Sequence, residues 1–279
     1  MKTIELNVIN ADSSKDQATT VAVVPGAFAP KSGDGSTSAG AEFSTTDNLL
    51  LASQPIVDTG SGTARAYELL VRMRRTDGSI AMPGEFLPGA EEAGLTPTID
   101  SWVVSQAIVH LGSSTAQQAD WRFNVNLSAT TIESPDFVGR IEQILSQCNV
   151  SASRLCFEVT ESRIFFDLPQ ATEALQRLRD LGAYIALDDF GTGFNSLERL
   201  RACPVDYLKI DGVFVRGMLA HRTDMIIVRS LVDLAHALDL KVVAEYVEDE
   251  ATAEALKSMG VDLLQGYALG RPVDISELH

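Results

Sequence analysis

Positive charge is scarce in this sequence. Lys and Arg number 22 against 38 Asp and Glu over 279 residues, a formal net charge of −16 at pH 7. Duplex nucleic acid and anionic membrane surfaces are bound through basic footprints, so neither is an expected partner. An anionic ligand would need cations supplied locally. No apolar run reaches the roughly 20 residues that span a bilayer, so no transmembrane helix is expected. The N-terminal "MKTIELNVINADSS" has no apolar core and no small-residue cleavage pattern, so no secretory leader is expected. Cysteine is nearly absent: Cys148, Cys156 and Cys203 are scattered and odd in number. That usage points to a reducing, cytoplasmic location without a disulfide framework. Cys156, in "RLCFEV", reads as a small core hydrophobe in a strand. The histidines His110, His221, His236 and His279 lack metal-ligand spacing, which disfavours zinc.

What is present falls into two parts. Residues 1–45 are rich in Ser, Thr, Gly and Ala ("APKSGDGSTSAGAEFSTT") and read as a flexible tail or linker, with "TVAVV" as a short strand inside it. Residues 46–279 form the folded domain. "LLLASQPIVD" (49–58) reads as a strand, "GSGTA" as a turn and "AYELLVRMR" (66–74) as the hairpin partner. A proline-led helix starts at "PGEFLPGAEEAG", and "TIDSWVVSQAIVHLG" (98–112) has the spacing of a buried helix. Short apolar strands then alternate with helices: "FNVNLS", "LCFEVTE", "YIALDD", "DYLKID", "KVVAEYVE" and "VDLLQGY". This alternation implies parallel βαβ units. The strand count and length fit an α/β fold of the TIM-like (β/α)8 barrel type. A doubly wound open sheet is the alternative, weakened because no G-x-G-x-x-G follows the first strand.

Polar residues mark the strand ends: Glu68, Asn126, Glu158, Asp188, Asp189, Lys209, Asp211, Glu245 and Gln265. In a barrel these ends converge on one face, where barrel enzymes do their chemistry. Taken singly, each has a plain explanation. Asp189 reads as a helix cap or turn residue, Lys209 as a salt-bridge partner, and Asn126 as the start of the next helix. Glu68 inside an apolar strand resists such a reading, because an unpaired buried carboxylate is costly. Together they form an oxygen-rich cluster suited to hard cations such as Mg²⁺ or Mn²⁺. The adjacent Asp188 and Asp189 repel one another unless a cation lies between them, and two such carboxylates can hold two ions. Two-metal sites clamp both oxygens of a phosphoryl displacement.

The segments "QPIV" (54–57), "YELLVR" (67–72), "VNLS" (125–128), "FEVTES" (157–162), "LDDFGTGFNSL" (187–197), "VDYLKID" (205–211), "VVAEYVE" (242–248) and "LLQGY" (263–267) resemble, in order, the motif series of EAL-domain cyclic-di-GMP phosphodiesterases. The resemblance implies a TIM-like barrel whose first strand is antiparallel. It implies hydrolysis of cyclic di-GMP to linear 5′-pGpG with two Mg²⁺ or Mn²⁺ ions. Carried over by position, Glu68, Asn126, Glu158 and Asp188 resemble ligands of one metal, and Asp188 and Asp189 those of a second. Lys209 resembles the residue that holds the attacking water, and Glu245 the base. Gln54, Arg72, Asp211 and Gln265 resemble substrate-binding residues. Glu161, Gly191, Gly193 and Glu248 fall in supporting loop positions. A homodimer is implied, as is a sensory or GGDEF-like domain N-terminal to residue 45.

Three positions depart from the family pattern. Glu68-Leu69-Leu70 stands where Glu-Ala-Leu is usual, Tyr246 where the family has Gly, and Asn195 where it usually has Ser. No metal-ligand position is lost. The competing readings are a non-catalytic cyclic-di-GMP receptor, which would typically have lost such ligands, and a different metal-dependent barrel hydrolase.

Overall fold

The computed structural model describes residues 4–5, 22–23, 46–160, 167–192 and 196–278. Within the predicted tail it gives a small antiparallel pair, Ile4–Glu5 with Ala22–Val23, the latter inside the expected "TVAVV" strand.

Eight strands make the barrel: β1 (Leu49–Asp58), β2 (Ala64–Arg74), β3 (Arg122–Leu127), β4 (Leu155–Thr160), β5 (Tyr184–Phe190), β6 (Tyr207–Ile210), β7 (Lys241–Ala244) and β8 (Leu263–Leu264). The first two form a hairpin, as the turn residues dictate. The Asp58 carboxylate accepts from Ser61 N at 2.7 Å, and Gly62 adopts φ 68°, a conformation that favours glycine. The hairpin register sets Gln54 directly opposite Glu68. From β2 to β8 each neighbouring pair is parallel. Closure comes from β8, which pairs antiparallel with β1 through Leu263–Asp58 and Leu264–Val57. Among these eight strands β1 alone is reversed, and the barrel closes on itself, which the open-sheet alternative does not do.

Helices cover the outside. Phe137–Cys148 buries Phe137, Val138, Ile141 and Leu145, a stripe at helical spacing, and ends at Asn149 in the left-handed conformation. The helices Leu168–Asp180 and Glu250–Ser258 start at Asp167 and Asp249, whose carboxylates accept from Gln170 N and Thr252 N. Thr96–Leu111 is apolar on most faces and sinks into the core, as its spacing predicts.

The barrel interior is layered, because alternate residues of a strand share a face. Ile56, Ala66, Cys156, Ala186, Tyr207, Val243 and Leu263 pack together as an apolar plug. Two positions toward the upper rim on each of these strands stands a polar residue: Gln54, Glu68, Glu158, Asp188, Lys209, Glu245 and Gln265 in the same order. Because β1 runs the other way, Gln54 precedes its plug residue while the others follow theirs. This period of two lifts the chemistry onto one floor above a dry base.

Candidate active site

Lys209 stands at the centre of that floor and is fully buried. Its Nζ lies 2.7 Å from both Glu158 Oε2 and Glu245 Oε1, 3.1 Å from Asp188 Oδ1 and 3.5 Å from Glu68 Oε2. Burial alone would push the ammonium pKa down, but the four carboxylates outweigh it and hold it well above the ordinary lysine value. One cation cannot satisfy so many anions. Burial pushes the Glu158 carboxyl up to about 8 despite Lys209, with Glu68 and Asp188 adding repulsion. Burial likewise drives Glu245 well up and Asp188 up. Glu68 is the exception. Burial raises it, but Lys209 and donors from Gln265 Nε2 (2.7 Å) and Asn126 Nδ2 (2.7 Å) bring its pKa below the usual value.

On a regular strand, Asp188 and Asp189 would point to opposite faces. The sequence places them at the strand's end; the structure continues β5 to Phe190 and breaks it between them. The pairing with β6 is irregular between Leu187 and Phe190, and Asp189 takes φ 53°. This bulge brings ligand oxygens of Asp188, Asp189 and Glu245 within 4.8 Å of one another. Burial and the neighbouring Asp188 raise the Asp189 carboxyl to about 7. Asp188 Oδ1 is buried, and Lys209 Nζ is its neighbour at 3.1 Å.

A cavity of about 620 Å³ opens above this floor. Gln54, Glu68, Arg72, Asn126, Asp188, Asp189, Glu245, Glu248 and Gln265 line it, whereas Glu158 and Lys209 are enclosed beneath. Arg72 is buried beside Glu68, its Nη1 donating to Val71 O at 2.9 Å. Gln265 Nε2 also reaches Gln54 Oε1 at 3.3 Å. Asp211 is not among the lining residues. Its carboxylate accepts from Val213 N at 2.6 Å, capping the helix Gly212–Val215, and it also lies against Asp189. Gly191, just past the bulge, takes φ 101°. Glu161, Gly193 and Asn195 lie outside the described residues.

Two supporting residues escaped the sequence reading. Asn124, one layer below Asn126, donates from Nδ2 to Glu158 Oε1 at 2.7 Å. Its position two residues before Asn126 was the available signal. Asp100 accepts from Ser128 N (2.8 Å), Ser128 Oγ (2.6 Å) and Thr131 Oγ1 (2.6 Å), tying down the turn after Asn126. An acid on the buried side of an apolar helix was the signal there.

A family model described as EAL domain matches residues 41–272. The chain belongs to the EAL domain family. Among curated relatives, it is 40% identical over 226 residues to "Cyclic di-GMP phosphodiesterase PdeF" of Escherichia coli (strain K12), covering 81% of this chain and 30% of that protein. It is 36% identical over 227 residues to "Cyclic di-GMP phosphodiesterase PdeB" of Shewanella oneidensis, covering 81% and 26%. The chain thus spans about a third or less of these relatives' length. Among solved structures, "PaMucR Phosphodiesterase, c-di-GMP complex" superposes with a TM-score of 0.77 at 36% identity, covering 83% of this chain and 94% of that one. The FimX EAL domain from Pseudomonas aeruginosa, bound to c-di-GMP, gives 0.78 at 27% identity, covering 85% and 96%. No helix among the described residues of this EAL domain is long and apolar enough to cross a membrane.

Proposed function

We propose that this EAL domain is a metal-dependent phosphodiesterase that hydrolyses cyclic di-GMP to linear 5′-pGpG, lowering the level of that bacterial second messenger. One observation carries the reading: Glu68, Glu158, Asp188 and Glu245 converge on a single buried lysine, with Asp189 beside them. Fully ionised, five carboxylates against one ammonium leave a deficit of four charges, the amount that two divalent cations balance. The ligand oxygens of Asp188, Asp189 and Glu245, all within 4.8 Å of one another, and the all-oxygen donor set fit Mg²⁺ or Mn²⁺. Glu68, Asn126, Glu158 and Asp188 would hold one ion, and Asp188 with Asp189 the other. Bound ions would supply the positive charge and Lewis acidity that draw and polarise a phosphodiester in an acidic cavity.

The chain's own residues do the rest. Lys209, 2.7 Å from Glu245, orients the attacking water beside its base. Glu245, whose proton affinity is raised, accepts the water's proton. Attack at phosphorus breaks the bond to the 3′ oxygen, which takes a proton from solvent as Glu245 releases its own, and the phosphate stays on the 5′ oxygen. Arg72 offers a guanidinium to a phosphate oxygen. Gln54 and Gln265 keep Glu68 in place. The homodimer reading is supported by Leu197, 65% exposed in the helix Ser196–Ala202 that follows the Asp189 loop; a monomer in light scattering at micromolar concentration would remove it. Residues 1–45 serve in this reading as a tether to a sensory or GGDEF-like domain, in a cytoplasmic protein.

The test is incubation of the purified chain with cyclic di-GMP and Mg²⁺, Mn²⁺ or EDTA, with chromatographic resolution of nucleotides. Metal-dependent pGpG, abolished in Glu68→Gln, is expected. Tight nucleotide binding without product would replace the enzyme with a receptor.

A further inference from the structure

Tyr246 follows Glu245 directly and adopts φ 54°, a left-handed conformation that a large side chain rarely takes. A non-glycine residue is strained there, so its surroundings must enforce it. They are built to do so. Gly212 packs against the ring so closely that a Cβ at 212 would meet Tyr246 Cγ at 2.5 Å and Cδ2 closer still. Arg216 Cζ lies 4.1 Å from the ring centroid, stacked over it. Arg216 is in turn tethered to Glu248, Nε to Oε1 at 3.5 Å. Tyr246, Arg216 and Glu248 all line the cavity. Yet half of the Tyr246 surface stays exposed. A large aromatic ring, strained in backbone, braced by Arg216 and Gly212 and half exposed in the lining of a polar cavity, is not core packing.

We propose that Tyr246, braced by Arg216 and Gly212, is a stacking platform for a purine base of the substrate, beside the acidic centre. This rests on the proposed dinucleotide substrate. A dinucleotide needs its bases fixed if its phosphate is to meet the centre in line. Aromatic side chains supply this through the π-face, and Arg over the ring adds to it. The adjacency to Glu245 in sequence ties the position of the base to the position of the proton acceptor.

Three substitutions separate stacking from bulk. Tyr246→Phe keeps the ring, Tyr246→Leu keeps bulk without it, and Tyr246→Gly removes both while relieving the backbone. KM and kcat for cyclic di-GMP would be measured for each with Mn²⁺, alongside thermal unfolding. Loss of a base stack predicts a KM raised about 5- to 100-fold in Tyr246→Leu and Tyr246→Gly, with kcat changed far less. Tyr246→Phe stays near the parent, and Arg216→Ala gives a smaller rise. Equal KM values for Leu and Phe variants, or a loss confined to kcat, would overturn the stacking role while leaving the phosphodiesterase reading standing. A parent chain that forms no pGpG would overturn that reading, and this platform with it.

Discussion

Glu158 Oε2 and Lys209 Nζ meet at 2.7 Å with both side chains fully enclosed, one β-strand apart in the barrel wall from β5 on either side. This pair is the electrostatic keystone of the floor. Removing one partner of a buried pair leaves the other uncompensated, typically at a cost of about 3–5 kcal/mol. Lys209→Met should therefore lower the unfolding temperature of the metal-free protein markedly. It should also cut turnover by about 100-fold or more, as loss of a group acting in proton transfer does. Calorimetry in EDTA and a pGpG assay check both. An unchanged unfolding temperature would show that the acids carry protons instead of relying on the lysine.

The metal-free protein should lose stability as the pH rises. Glu158 and Asp189 have folded values of about 8 and about 7, above those of ordinary carboxyls. Between the two sets of values the folded state binds more protons than the unfolded chain. Their contribution is therefore full below the ordinary carboxyl range and lost as pH climbs through 7 and 8. Glu68 has the opposite sign: its lowered pKa gives stability that is lost as pH falls below the carboxyl range. Calorimetry in EDTA at about pH 5.5 and about pH 8.5 should show the lower unfolding temperature at the higher pH. Divalent cation should narrow the gap. A higher unfolding temperature at the alkaline point would contradict the prediction.

Asp189→Asn should separate stability from activity. Asn tolerates the left-handed backbone at 189, and the change removes a charge repelled by Asp188. The metal-free variant should unfold at a higher temperature near pH 8. The stabilisation gained on adding Mn²⁺ should shrink, and turnover should fall about 100-fold. Parallel melts with and without Mn²⁺ decide it; an Mn²⁺ response equal to the parent's would remove Asp189 from the metal-binding set.

Gly266→Ala should destabilise the site from outside. A Cβ there would overlap the Val247 backbone, which accepts from Ala268 N and donates to Gln265 O, both at 3.0 Å. Neither segment can move without shifting Gln265 or Glu245. A loss of about 2–4 kcal/mol in denaturant unfolding is expected, with kcat reduced in the folded fraction. Unchanged unfolding would mean that the segment at 245–248 yields easily.

Much of this was legible in the sequence because a barrel enforces simple rules. Strand runs such as "LLLASQPIVD" matched their observed bounds, and polar residues at strand ends had one place to go. What stayed hidden depended on dihedrals and distances. "DDFG" cannot reveal that Asp189 takes a left-handed turn so that both acids face inward. Asp211 reads like the other acids of the floor until the structure shows it capping a four-residue helix. Nothing local in "FNVNLS" joins Asn124 to its partner, Glu158, 34 residues away.

The reversed direction of β1 has a practical consequence. Its first residue, Leu49, pairs with Met73 at the rim, while its last, Asp58, pairs with Leu263 at the base. The chain therefore enters β1 from the end of the barrel that carries the cavity. The tight turn at Gly60–Gly62 lies a ten-residue strand away, about 33 Å. A surface anchor or fluorophore placed in that turn would leave the mouth unobstructed, whereas one attached just before Leu49 would share space with arriving nucleotide.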